Sequence, residues 1–169
     1  HAPLSARSVG SVHRVAAHAR PGTQKTAATV RRARSHSGAS NTIAALASIG
    51  GAGAFVGKVR DDQLGQVFAH DIRAVGVAYD TAPAPRGAPT ARCLILVTPD
   101  AQRTMQTYLG ASVGLGPDDV EPKRIAEAKV TYLEGYLWDP PAAKNAFRKA
   151  AHAANDARRL VALSLSDPL

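Results

Sequence analysis

The sequence predicts an α/β fold, a three-layer sandwich in which helices flank a mainly parallel sheet. Three observations carry this. Short aliphatic runs alternate along the chain with segments of helical period. The connections between them are rich in Gly and Pro. The chain has 169 residues, 45% of them hydrophobic, which is enough for one medium domain with a core. Aromatics make up only 5%, so that core must be aliphatic and rich in Ala.

The elements follow in order. "NTIAALASI" (41–49) has a polar start and good helix formers, and Gly50-Gly51 stop it. "AFVGKV" (54–59) is a short apolar strand. Asp61-Asp62 then cap a helix over "QLGQVFAHDIRAVG", with Leu64, Val67, Phe68, Ile72 and Val75 on one face. "VAYD" (77–80) is a second short strand, and "TAPAPRGAPT" (81–90) is a Pro/Gly loop. "ARCLILVT" and "RTMQTYL" form a hairpin about "PDAQ", a small sheet beside the main one. "GASVGLGPDDVEP" is a loop feeding a short helix near 122–128. "KVTYLEGYL" (129–137) is a strand with a polar end. Pro140-Pro141 open a helix over "PAAKNAFRKAAHAANDA", since Pro is tolerated in a first turn. "RLVALSLSD" (159–167) is the last strand.

The net charge of +8 invites a nucleic-acid partner, but its distribution argues against one. Residues 1–60 hold nine Lys/Arg and no acid, whereas residues 61–169 hold twelve Lys/Arg and thirteen Asp/Glu. The basicity belongs to residues 1–36, which lack any period of 3.6 or 2. Three readings compete for that segment: a basic arm for phosphates, an organellar transit peptide, or sequence foreign to the fold, such as an out-of-frame translation of GC-rich coding DNA. We favour the third and expect the segment to be poorly ordered and separate from a domain over 37–169. A single cysteine, Cys93, excludes an intrachain disulfide and a multi-Cys metal site and fits a reducing, cytosolic compartment. No apolar run approaches the length of a membrane span, so no membrane partner is expected. The chain starts at His1 rather than Met, which reads as a partial or processed product.

In open parallel sheets, ligands sit beyond the carboxyl ends of the strands. Glu134-Gly135, Ser166-Asp167 and the acids after "AFVGKV" all fall there. Asn41 follows Gly38, Ala39 and Ser40 at a helix start; it either caps the helix or meets a hydroxylated ligand at the open N-terminus. Asp62 and Gly65 read as structural, a cap and a close-packing position. Arg103 lies on the hairpin, as plain surface or as a ligand contact from a cover. Glu134 is an acceptor suited to sugar O–H groups, or else a salt-bridge partner for a neighbouring loop. Asp167 either ends its strand or holds a water or Mg²⁺ near phosphates. Gly50-Gly51-Ala52-Gly53 follows a helix and precedes a strand, the wrong order for a dinucleotide loop, and no Walker-type loop is present.

Three segments together resemble the ribokinase-like carbohydrate kinases of the phosphofructokinase-B type, and within them the adenosine-kinase-like branch. They are "GASNTIAALASIGGAGAFVGKVRDDQLGQVFAHDIRAVGV" (38–77), "TARCLILVTPDAQRTMQTYLGAS" (90–112) and "YLEGYLWD" (132–139). The resemblance implies part of a Rossmann-like α/β domain with a small β-sheet lid. It also implies transfer of the ATP γ-phosphate, with Mg²⁺, to a primary hydroxyl of a sugar or nucleoside, the lid segment tilting towards adenosine. Gly38 and Asn41 match its glycine-asparagine substrate motif, Arg103 its lid strand, Glu134 a sugar-facing position, and Asp167 a strand end near phosphates and metal. A homodimer through the lid is a further expectation. The departures are plain. His36 and Ser37 stand where paired glycines are usual, Arg60 stands where Gly is usual, and residues 1–36 lack the Asp that grips sugar hydroxyls. The catalytic base lies in a Gly-Ala-Gly-Asp type motif beyond Leu169, so the chain is expected to be inactive alone. From other classes come a non-catalytic hydroxyl-ligand-binding or dimerisation module and, less favoured, a nucleic-acid binder acting through the basic arm.

Overall fold

The computed structural model describes residues 5–9, 15–16, 38–97 and 102–165, and for 5–9, 15–16, 97 and 103 the backbone alone. The main sheet has five strands: β1 (Ser5–Val9), β3 (Ala52–Val56), β4 (Val77–Ala78), β7 (Val130–Glu134) and β8 (Leu160–Ser164). Their order is β4-β3-β1-β7-β8, and every neighbouring pair is parallel. All the carboxyl ends therefore lie along one edge, where Val9 stands against Val56 and Leu133. A second sheet holds β2 (Val15–Ala16), β5 (Arg92–Val97) and β6 (Arg103–Tyr108). The β5–β6 pair is the antiparallel hairpin expected from the sequence.

Two strands come from the segment expected to lie apart from the fold. β1 occupies the middle of the main sheet, and β2 runs parallel to β5. The expectation of poor order concerns residues 1–36, of which the described residues include 5–9 and 15–16 as strand backbone and no others. "SARSV" has no apolar period to announce a strand. Backbone pairing to β3 and β7 on both sides places it there, a long-range effect that local pattern does not carry.

Helices cover both faces. α1 (Gly38–Ser48) and α2 (Gln63–Ala74) close one cluster, with Ile43, Phe55, Phe68, Ile72, Val77 and Tyr79 inside. Its aromatic centre is a trio with two edge-on pairs, Phe55–Phe68 at 5.7 Å and Phe68–Tyr79 at 5.3 Å between ring centroids. The Tyr79 hydroxyl donates to Gly57 O at 2.9 Å, so the phenol is both buried and satisfied; burial pushes its pKa well above the usual value. α3 (Pro122–Ala126) and α4 (Pro141–Asp156) lie on the other cluster, where Ala143, Ala146, Ala150 and Ala154 are fully buried. That stripe at helical spacing is the Ala-rich core the composition requires.

Local chemistry sets the helix ends. Gly50 takes φ 86°, its N–H reaches Ala47 O at 3.0 Å, and Gly51 N–H reaches Leu46 O at 2.9 Å, the paired bonds of a Schellman stop. Asp62 is the N-cap of α2 and accepts from Gly65 N–H at 2.8 Å. A Cβ on Gly65 would stand 2.0 Å from Arg60 O, so the expected close-packing role is borne out. Pro141 opens α4 at its first helical position. Residues 110–121, expected to be loop, carry two short 3₁₀ turns, Gly110–Gly114 and Pro117–Asp119.

Candidate substrate site

At the carboxyl edge of the sheet, Glu134 ends β7 and is only 5% exposed. Its Oε2 accepts the Ala39 backbone N–H at 3.0 Å, across 95 residues of chain. Its Oε1 lies over Gly38, where a Cβ would stand 2.0 Å away. Glycine at 38 is what allows a carboxylate to seat on the first turn of α1. Burial pushes the Glu134 carboxyl above its usual pKa, and the Ala39 N–H offsets part of that. Orphan N–H groups and the positive end of the helix favour an anion at such a place. The observed partner of Glu134 is therefore a helix terminus rather than a salt bridge to a loop.

Asn41 is exposed on that first turn, and its neighbour Thr42 donates its hydroxyl to Gly38 O at 2.9 Å. The fold thus brings Gly38, Asn41 and Glu134 to one corner. Arg103 pairs by backbone with Val97 at the outer end of the hairpin, and its side chain lies outside the described residues. Asp167 lies outside them too.

The carboxyl end of β3 is fixed from two directions. Lys58 bonds Asp119, whose other oxygen accepts Gly116 N–H at 3.0 Å. Tyr79 holds Gly57, as described above. The base of the hairpin is fixed as firmly. Asp62 Oδ2 accepts Thr90 N–H at 2.9 Å and Oδ1 accepts the Thr90 hydroxyl at 2.7 Å, while that hydroxyl accepts Arg60 N–H at 3.0 Å. Burial works against the Asp62 charge, but the Thr90 and Gly65 donors and the nearby Arg60 outweigh it and hold the carboxyl below the usual aspartate value. At the hairpin's exit Gly110 takes φ 51°, a Cβ there would stand 2.1 Å from Pro89 O, and Ala111 N–H donates to that oxygen at 2.8 Å. Sequence reasoning missed Thr90 and Gly110 as the anchors of the hairpin; the available signal was Pro-Thr before the first strand and Leu-Gly after the second.

Two clefts lie elsewhere. One of about 650 Å³ runs along the outer face of α2 past Arg60, His70, Arg73 and Pro83. Another of about 260 Å³ lies beside β3 between Asp80, Asp119 and Arg124. Neither is lined by Gly38, Asn41 or Glu134. Among the described residues no three His, Cys, Asp or Glu side chains gather to hold a cation, so these residues do not by themselves fit a Mg²⁺ site.

The model of the pfkB family of carbohydrate kinases matches residues 8–169. The chain belongs to that family. As a pfkB-family chain it is similar in structure to the adenosine kinase from Sinorhizobium meliloti, with 44% identity and a TM-score of 0.81 over 98% of this chain and 57% of that one. It is likewise similar to a probable sugar kinase from Rhizobium etli, with 42% identity and a TM-score of 0.80 over 97% of this chain and 56% of that one. A fructokinase from Solanum tuberosum is 30% identical over 123 residues, 72% of this chain and 39% of the fructokinase. The pfkB-family chain thus spans well under two thirds of these relatives. The match from residue 8 reaches well inside the segment expected not to match, so family sequence is not confined to residues after 36.

Proposed function

We propose that this chain is the substrate-and-lid part of a sugar or nucleoside kinase, with adenosine or a related ribose-type compound as acceptor. The observation that carries this is the 44% identity to an adenosine kinase over nearly the whole chain. In the reaction, an acceptor hydroxyl oxygen forms a bond to the γ-phosphorus of ATP. The bond from that phosphorus to the β–γ bridging oxygen breaks, ADP leaves, and the hydroxyl proton passes to a base. ATP and Mg²⁺ enter through the family, and Mg²⁺ would supply charge neutralisation on the phosphates.

The residues divide as follows in this proposal. Asn41 and the open side of Gly38 meet the sugar hydroxyls. Glu134 holds the first turn of α1 through Ala39 and turns its other oxygen to a ribose-type O–H. Arg103 covers the acceptor from the hairpin, and Asp167 stands near the phosphates. The Gly-Ala-Gly-Asp motif that the family uses for the base does not occur in these 169 residues.

A hybrid tests this. Residues 38–165 replace the segment they match in the S. meliloti adenosine kinase, and ATP-dependent phosphorylation is measured with adenosine, ribose and fructose. The expected result is transfer to adenosine that falls at least about tenfold in kcat/KM with Asn41→Ala. Transfer to fructose and not adenosine would move the acceptor, and a folded hybrid inactive on all three would overturn the reading.

A further inference from the structure

The wider cleft, of about 650 Å³, is of a size that takes a small organic molecule, and every residue lining it is described. α2 supplies one wall through Gln66, Ala69, His70, Arg73 and Ala74. That row at helical spacing is about 12 Å long and lies on the side of α2 away from its core residues Phe68 and Ile72. Buried Val59 and Tyr79 and exposed Pro83 make much of the remaining lining apolar. Two guanidinium groups enter it. Arg73 is held by Tyr79: Nε and Nη2 donate to Tyr79 O at 3.0 and 2.6 Å, and Cζ lies 5.5 Å from the centre of the ring. Arg60 is held by its backbone, whose N–H meets the Thr90 hydroxyl, and its Nη1 donates to Gly87 O at 3.1 Å. The Arg60 Nε is buried and has no hydrogen-bond partner among the described residues. His70 is already beside Asp71, at 3.1 Å, and the single acid in the lining is Asp61.

We propose that this cleft binds a small organic anion, a flat apolar body carrying one carboxylate or phosphate group. The body packs on Val59, Ala69 and Tyr79, and the anion meets the Arg60 guanidinium, whose planar fork matches two oxygens of either group. A charged donor left short of acceptors is costly, so an anion at Arg60 is favoured beyond simple charge attraction. The smaller cleft has the opposite character: Asp80, Asp118, Asp119 and Glu121 outnumber Arg124 there, which disfavours an anion. The proposal does not rest on the acceptor reading, because Gly38, Asn41 and Glu134 do not line the wider cleft.

Calorimetric titration of the purified chain with naphthyl phosphate and, separately, with naphthoate tests this and tells the two head groups apart. The expected result is saturable binding of at least one of them. Inorganic phosphate, which lacks the apolar body, and uncharged naphthylmethanol, which lacks the anion, each bind at least about tenfold more weakly. Arg60→Gln weakens the better probe at least about tenfold, and Ala69→Trp, which fills the cleft, does the same. Arg148→Gln, an equal change of charge at an exposed position on α4, leaves binding unchanged. Far-UV circular dichroism checks the fold of each variant, and Arg60→Gln and Ala69→Trp stand in for each other if one does not fold. Uptake of neither probe would overturn the proposal. So would binding indifferent to the two cleft variants, or inorganic phosphate binding as tightly as naphthyl phosphate, or a loss with Arg148→Gln as large as with Arg60→Gln.

Discussion

Gly38 and Glu134 show how two residues far apart in sequence define one corner of the molecule. The glycine has no Cβ, so the carboxylate reaches the N-terminus of α1; the carboxylate is buried, so its pKa rises. The sign follows. A carboxyl whose pKa is higher when folded binds its proton more tightly in the native state. Its contribution to stability is full below the usual glutamate pKa of about 4.3 and is lost as pH rises through the folded value. Glu134→Gln keeps an acceptor for Ala39 N–H and removes that loss, so denaturant titrations above pH 5 should find the variant at least as stable as the parent. Asp62 has the opposite sign: its lowered carboxyl contributes above the usual aspartate pKa and is lost as pH falls through the folded value. Thr131 is a different case. It is fully buried on β7, and its hydroxyl has no hydrogen-bond partner among the described residues. Thr131→Val keeps the shape and removes an unmet polar group, which should raise stability by about 1 kcal/mol in urea unfolding. A loss of stability would show that the hydroxyl is satisfied in solution.

The hairpin stands on Thr90. Its single hydroxyl serves Asp62 and Arg60 N–H together and is buried, so Thr90→Val leaves a backbone donor and a carboxylate oxygen short of partners. The expected cost is about 2–3 kcal/mol, with faster amide hydrogen exchange in β5 and β6 than in α4. Equal exchange in both would remove Thr90 as the anchor. These contacts also show what was legible in the sequence. The Asp62 cap, the Gly50 stop, Pro141 at a helix start and the β5–β6 hairpin are local chemistry, and each was readable from a few neighbouring residues. The start of α1 was not: the pattern begins it at Asn41, while the helix begins at Gly38 because a carboxylate 95 residues away receives Ala39 N–H. The 3₁₀ turn at 110–114 was missed for the same reason, since Pro89 O fixes its entry.

For the molecule entire, parallel order puts all five carboxyl ends on one edge, and Glu134 lies there at the end of β7 against the start of α1. Glu134 sits against Gly38 and Ala39, with Asn41 exposed on the same turn of α1; the Arg103 side chain and Asp167 lie outside the described residues. The middle strand β1 was illegible because its place comes from long-range pairing with β3 and β7. The central claim is that this corner belongs to an acceptor site for a ribose-type compound. Calorimetric titration of the purified 169-residue chain with adenosine tests it most directly. Saturable binding that weakens at least about tenfold with Asn41→Ala is predicted. A folded chain that takes up no adenosine, or one whose binding is indifferent to Asn41→Ala, would contradict it.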